Sequence, residues 1–277
     1  MKFLLPGLII LSLGFAVAPV ASAAGEVRIA LISDTHTTRG TKGDQPLYAG
    51  RLNAVIAAVN EAKVDFALVA GDLTDDSKPA SDADYLAQIS RLKAPVFWVP
   101  GNHDLGPKAI AGGKTGPLPR RLAAYEARFG DSFYVKSCAG VRIIGVNSQI
   151  PGGILPAVDA QWAMLEKALA APVPEHTVVF MHMPPFLKTA DEGSDPYWNW
   201  EPEPRKRLLA LLRRGRVKTV LTGHLHYELT NHLGDMLIYT TPPVSFGLPR
   251  GVAPQGWTLV TLPKSGEARI EFKPIND

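Results

Sequence analysis

Potential metal-binding side chains recur in this 277-residue chain directly behind short apolar runs. Asp34 and His36 follow Val27 to Ser33, Asp72 follows Phe66 to Ala70, and Asn102 follows Val96 to Val99. His182 follows Val178 to Met181, and His224 and His226 follow Val217 to Thr222. The runs read as strands, and the Gly- and Pro-containing segments behind them, such as Pro100-Gly101, read as turns. A turn at a strand's carboxyl end faces the crevice where open α/β sheets bind ligands. Carboxylates, imidazoles and an amide oxygen delivered there from five strand ends form the donor set of a metal centre, a pattern that scattered core histidines would not produce. Such donors suit Zn, Mn or Fe rather than Ca or Mg. Cys138 stands alone in the sequence, which excludes an intrachain disulfide and a cysteine-built zinc site.

Taken together, Asp34-Thr35-His36, Gly71-Asp72-Leu73-Thr74-Asp75, Gly101-Asn102-His103-Asp104, His182 and Gly223-His224-Leu225-His226 resemble the calcineurin-like metallophosphoesterase superfamily in content and order. Each block is weak alone; the ordered set, spanning residues 34 to 226, is specific. The resemblance implies an α/β fold, a four-layer αββα sandwich of two mixed β-sheets flanked by helices. It also implies two divalent or trivalent transition-metal ions, Zn, Mn or Fe, bridged by Asp72. Asp34, His36 and His226 would complete the first site, and Asn102, His182 and His224 the second. Paired ions neutralise phosphoryl oxygens, make hydroxide at neutral pH and stabilise a leaving oxyanion, so the implied reaction is hydrolysis of phosphate mono- or diesters. His103, which has no ligand duty, is expected to act as general acid, with Asp104 holding it in position or, alternatively, serving as a plain helix cap or solvated carboxylate. Purple acid phosphatases, one branch of the superfamily, place a tyrosine three residues after the bridging Asp. Asp75 occupies that position here, which argues against a ferric-tyrosinate site. The alternative is a non-catalytic metal-binding or scaffold protein of the same fold; retention of every ligand and of His103 favours the enzyme.

The elements that must position these residues alternate through the first half: strand Val27 to Ser33, helix Arg51 to Ala62, strand Phe66 to Ala70, helix Ser81 to Leu92, strand Val96 to Val99. Leu52, Val55, Ile56 and Val59 recur at helical spacing, as do Tyr85, Leu86, Ile89 and Leu92. This alternation predicts right-handed βαβ crossovers and a parallel sheet. A helix over Leu118 to Phe129 and a hairpin of Phe133 to Lys136 with Val141 to Val146 follow. Helices Ala157 to Leu169 and Arg205 to Arg213 flank the strand that delivers His182, and short strands at Met236 to Thr240, Trp257 to Leu262 and Ala268 to Phe272 suggest the second half of a two-sheet sandwich. Arg205-Lys206-Arg207 and Arg213-Arg214-Gly215-Arg216 read as a solvated helix face. Tyr197-Trp198-Asn199-Trp200 lies in an irregular, Pro-rich stretch after His182. Trp198 and Trp200 either overhang the centre and stack an aromatic or nucleobase part of a substrate, beside contacts from Asn102 and His103, or anchor the stretch in the core.

At the amino end, Met1-Lys2, an uncharged run from Phe3 to Val20 and Ala21-Ser22-Ala23 read as a secretory signal peptide over residues 1–23. The alternative is an uncleaved anchor, since the run is just long enough to span a bilayer; Pro6, Gly7 and the small residues before Ala24 favour cleavage. Residues 24–277 are read as a single domain. Export to the periplasm or medium, without stable membrane association after cleavage, is expected. The net charge of +3 falls to +2 once Lys2 is removed, too slight to point to nucleic acid. The expected partner is a small phosphate ester or nucleotide.

Overall fold

The computed structural model describes residues 25–39, 45–110, 116–172 and 174–275, and the expected signal peptide lies outside them. The chain runs β1 (Glu26–Ile32), α1 (Gln45–Ala62), β2 (Phe66–Ala70), α2 (Pro79–Ile89), β3 (Val96–Val99), α3 (Asn102–Leu105), α4 (Pro119–Phe129), β4 (Tyr134–Cys138) and β5 (Val141–Val146). It continues with α5 (Pro156–Ala170), β6 (His176–Met181), α6 (Pro202–Arg214), β7 (Thr219–Thr222), β8 (Leu229–Leu233), β9 (Met236–Thr240), β10 (Gly256–Pro263) and β11 (Arg269–Pro274).

Two mixed sheets result, one ordered β11-β10-β1-β2-β3 and the other β4-β5-β6-β7-β9-β8. Side chains alternate across each strand, so every strand serves two cores. In β1, Val27, Ile29 and Leu31 point between the sheets, where they meet Val141, Ile143, Val178, Phe180 and Leu221 of the second sheet. Ala30 and Ile32 point outward under Leu52, Val55, Tyr85 and Tyr125 of α1, α2 and α4. Trp162 and Leu165 of α5 and Leu208 and Leu212 of α6 cover the far side of the second sheet over Ile144, Val179 and Val220. The layers are therefore helix, sheet, sheet, helix, as the sequence blocks imply.

Three differences from the sequence reading have local causes. The hairpin turns on Ala139 and Gly140 alone, both left-handed at φ +48° and +77°, so Cys138 stays in β4 opposite Val141. The carboxyl-terminal strands do not build the second sheet together. β9 joins it beside β7, whereas β10 returns to pair antiparallel with β1 in the first. β8, too polar in Leu229-Thr230-Asn231-His232-Leu233 to read as a strand, lies at the edge of the sheet, where among the described residues it pairs with β9 alone.

Candidate metal centre

Strands β1, β2 and β3 run parallel in one sheet, and β5, β6 and β7 in the other. Stacking brings the carboxyl ends of these two sets to one edge of the sandwich. Just beyond the strands the backbone turns left-handed at Asp34 (φ +53°), His36 (+46°), Asp72 (+50°), His224 (+75°) and His226 (+59°). Such geometry costs about 1 kcal/mol or more per non-glycine residue, and it persists where the surroundings over-determine it. Backbone bonds supply that constraint: Asp34 N–H donates to Gly71 O at 3.1 Å, His36 N–H to Asp72 O at 3.1 Å, and Gly223 N–H to His182 O at 2.9 Å. Close packing requires glycine at Gly71 and Gly101. A Cβ on Gly71, itself at φ +83°, would lie 2.6 Å from the His182 ring, and one on Gly101 would overlap the Asp72 carboxylate.

Two groups of donors meet at Asp72. On one side Asp72 Oδ2 lies 3.6 Å from His36 Nε2, which is 3.3 Å from His226 Nε2, which in turn is 3.2 Å from Asp34 Oδ1. On the other side the same oxygen lies 3.3 Å from His182 Nε2, which is 3.0 Å from Asn102 Oδ1 and 3.1 Å from His224 Nδ1. The far nitrogen of each imidazole is bound to an oxygen. His36 Nδ1 meets Asp75 Oδ1 at 3.0 Å, His182 Nδ1 meets Ala70 O at 2.8 Å, His224 Nε2 meets Tyr197 O at 2.7 Å, and His226 Nδ1 meets Phe246 O. These oxygens only accept, so the far nitrogens carry the protons and, in neutral rings, lone pairs face one another across 3.1 to 3.3 Å. Facing lone pairs repel unless a cation lies between them. Asp34 Oδ1 is likewise buried without a hydrogen bond of normal geometry, so the donor set fits a cation on each side of Asp72.

The electrostatics agree. Burial pushes the Asp34 and Asp72 carboxyls up, but the adjacent imidazoles outweigh it and hold both below the usual carboxylate range. The same attraction, chiefly from Asp72, overcomes the burial of His182 and raises it to about 9. His224, buried and facing the charge on His182, is pushed down to about 3. Without an ion the buried carboxylates thus retain an imidazolium proton, the positive charge that a metal would otherwise supply.

Around this centre several sequence expectations change. The ring of His103 stands edge-on to His36 with centroids 4.4 Å apart, and its backbone N–H donates to Asp72 Oδ1 at 2.8 Å. Asp104 does not hold that ring: its buried carboxylate accepts the N–H groups of Leu73, Thr74 and Gly101, pinning the turn behind β2 to the turn behind β3. Asp75 makes the expected contact instead, with its carbonyl 2.8 Å and its carboxylate 3.2 Å from His103 Nδ1. The same carboxylate holds His36, and these two imidazoles keep it well below the usual carboxylate range. Burial opposes protonation of His103, but Asp75 and the charge on Asp72 raise it to about 10.

The aromatic stretch divides. Trp200 is buried in the core under α5 and α6, donating its indole N–H to Met183 O at 3.1 Å, so it is an anchor and not a substrate platform. Trp198 stays near the centre, 5.4 Å from the His224 ring. Tyr197, the first ring of that stretch, packs 4.9 Å from the same ring and accepts from Asn102 Nδ2 at 3.2 Å. Arg205, expected on a solvated face, is buried, with its guanidinium on the carbonyls of Glu192, Gly193 and Trp200. Phe246 was also missed; its ring lies 4.3 Å from His226 and 5.4 Å from His36. It comes from the stretch behind β9, where no motif marks it.

A probable cyclic nucleotide phosphodiesterase of Rhodococcus erythropolis is 29% identical over 207 residues, 72% of this chain and 64% of that protein. The chain thus spans just under two thirds of that relative's length. A 3',5'-cyclic adenosine monophosphate phosphodiesterase of Escherichia coli is 25% identical over 272 residues, 92% of each chain. Among solved structures, a purple acid phosphatase from yellow lupin seeds superposes with a TM-score of 0.68 at 16% identity, over 92% of this chain and 52% of that one, a likeness of fold. The sequence profile of calcineurin-like phosphoesterases matches residues 27–228, and by that match the chain belongs to the calcineurin-like phosphoesterase family.

Proposed function

We propose that the protein is an exported phosphodiesterase that holds two transition-metal ions and hydrolyses small nucleotide-type esters. The observation that carries this reading is the position of Asp72 Oδ2, 3.6 Å from His36 Nε2 and 3.3 Å from His182 Nε2. One carboxylate oxygen thereby serves both donor groups. Asp34, His36 and His226 would hold the first ion and Asn102, His182 and His224 the second, with Asp72 shared; imidazole and carboxylate suit Zn, Mn or Fe. When bound, the ions draw charge from the phosphoryl oxygens and acidify water. The chain's own residues do the rest. His103 is one-third exposed at its side chain, and Asp75 occupies its Nδ1, which leaves Nε2 to give a proton to the departing oxygen. Asp75 also fixes the His36 ring, so one carboxylate sets the relative placement of a metal ligand and the proton donor. The Tyr197 hydroxyl, accepting from Asn102 Nδ2, orients that residue of the second donor group.

The diester preference rests on the names of the Rhodococcus and E. coli relatives. Metal analysis, with hydrolysis of 3',5'-cyclic AMP, bis(p-nitrophenyl) phosphate and p-nitrophenyl phosphate, tests the proposal. Two ions per chain and faster cleavage of the diesters are expected; a faster monoester makes the protein a phosphatase, and two ions without turnover make it a scaffold. Export is supported by Lys2, the apolar run and Ala21-Ser22-Ala23. Amino-terminal sequencing of the mature protein should begin at Ala24, and an intact Met1 in a membrane fraction would contradict it.

A further inference from the structure

A cavity of about 390 Å³ opens beside the first donor group, between the start of α1 and residues 246–255. Its wall nearest the centre is Phe246. One part of that residue is committed to the site, the ring packing on His226 and His36 and the carbonyl taking the His226 N–H. The Arg250 guanidinium lies on the same ring, 3.9 Å from its centroid, and Tyr48 packs 5.9 Å away. A series of aromatic and guanidinium groups thus leads from the site-1 imidazoles out to a flat cation near solvent. Among the described residues no carboxylate lines the cavity. Val252, on its rim, is 77% exposed, an apolar side chain covered by no other part of the described chain. Gln255 donates its amide N–H to Ala253 O at 2.9 Å, which leaves its Oε1 as an acceptor.

We propose that this cavity takes the nucleobase of a nucleotide ester whose phosphate sits at the metal centre, an inference that rests on the phosphoesterase reading. Flat π-faces stack on guanidinium planes whatever the base, which suits Arg250 at the solvent end of the series; Phe246, covered by His226 and Arg250, and the buried Tyr48 back it. An exocyclic amino group would find an acceptor in Gln255, and Val252 would cover the base's outer side. The volume exceeds the needs of a bare phosphate. On the opposite side of the centre Trp200 is buried and the Tyr197 ring packs on His224, so Trp198 is the competing platform.

The test uses two diesters with one leaving group, thymidine 5'-(p-nitrophenyl phosphate) and methyl p-nitrophenyl phosphate. Arg250→Ala should lower the nucleoside-to-methyl ratio of kcat/KM about tenfold, the scale of one lost base stack. An unchanged ratio overturns the proposal, as does a fall confined to Trp198→Ala, which would put the base on the opposite side. Calorimetric titration with AMP and with ribose 5-phosphate, which differ in the base, gives a readout independent of turnover. The AMP preference should fall by a similar factor in Arg250→Ala, and an unchanged preference overturns the base site. Wild-type protein that binds AMP preferentially yet cleaves neither diester would refute the phosphodiesterase reading while leaving the base site standing.

Discussion

In the proposed two-ion centre Asp72 is a single side chain with two obligations, and the neutral isostere separates charge from shape. Asp72→Asn keeps the volume but removes the negative charge that offsets repulsion between two cations. Because the ions supply several kcal/mol of transition-state stabilisation, we expect activity to fall by about a thousandfold or more and metal content to drop below two per chain. Retention of both ions at near-normal rate would refute the shared role. His103→Gln should behave differently. An alkoxide leaving group must be protonated as it departs, whereas a nitrophenolate leaves unaided, so the loss should be about 10²–10⁴-fold on alkyl esters and small on nitrophenyl esters. Metal content should stay normal. Equal losses on both leaving groups would make His103 an electrostatic stabiliser of the phosphoryl oxygens instead.

The connection between β6 and α6 shows how an irregular element is held. Glu192 accepts the N–H groups of Leu187, Lys188 and Thr189; the ammonium of Lys108 binds the carbonyls of Asp195 and Asn199; Arg205 closes the far end on Glu192, Gly193 and Trp200. Buried cations in effect replace the sheet or helix ladder that this stretch lacks. Trp200 is its hydrophobic anchor, only 2% exposed. Trp200→Ala should therefore cost about 3–5 kcal/mol of stability, which at about 2–4 °C per kcal/mol lowers Tm by roughly 10 °C. Thermal melts read the first effect. A large rise in KM for aromatic esters with an unchanged melt would return Trp200 to the substrate side.

Across the whole molecule, protons and metal ions compete for one buried set of donors. In the metal-free protein His182 titrates at about 9, burial being outweighed by Asp72 and Asp34, so below that pH the ring holds a proton that must leave before the nitrogen can bind an ion. Apparent metal affinity should rise with pH, by up to about tenfold per unit below 9, and flatten above it. Chelator competition across pH 6 to 9, with proton release followed in parallel, measures this; an affinity that falls as pH rises contradicts it. That competition can be anticipated from types and spacing, because the turns carrying Asp34, His36, Asp72, Asn102, His182, His224 and His226 are written locally, each by an apolar run and the few residues behind it. The helices and parallel crossovers were legible for the same reason: hydrophobic periodicity is a property of near neighbours. The docking of surfaces far apart in the chain is different. That His224 faces the centre through Nδ1, that Asp75 and not Asp104 holds His103, that Arg205 and Trp200 are buried, and that Phe246 backs His226 all depend on packing between distant segments. No local pattern distinguishes Trp198 from Trp200 or an exposed arginine from a buried one; the sheets and helices that close around them decide, because only the assembled layers determine which side chains lose water and which partners are within reach.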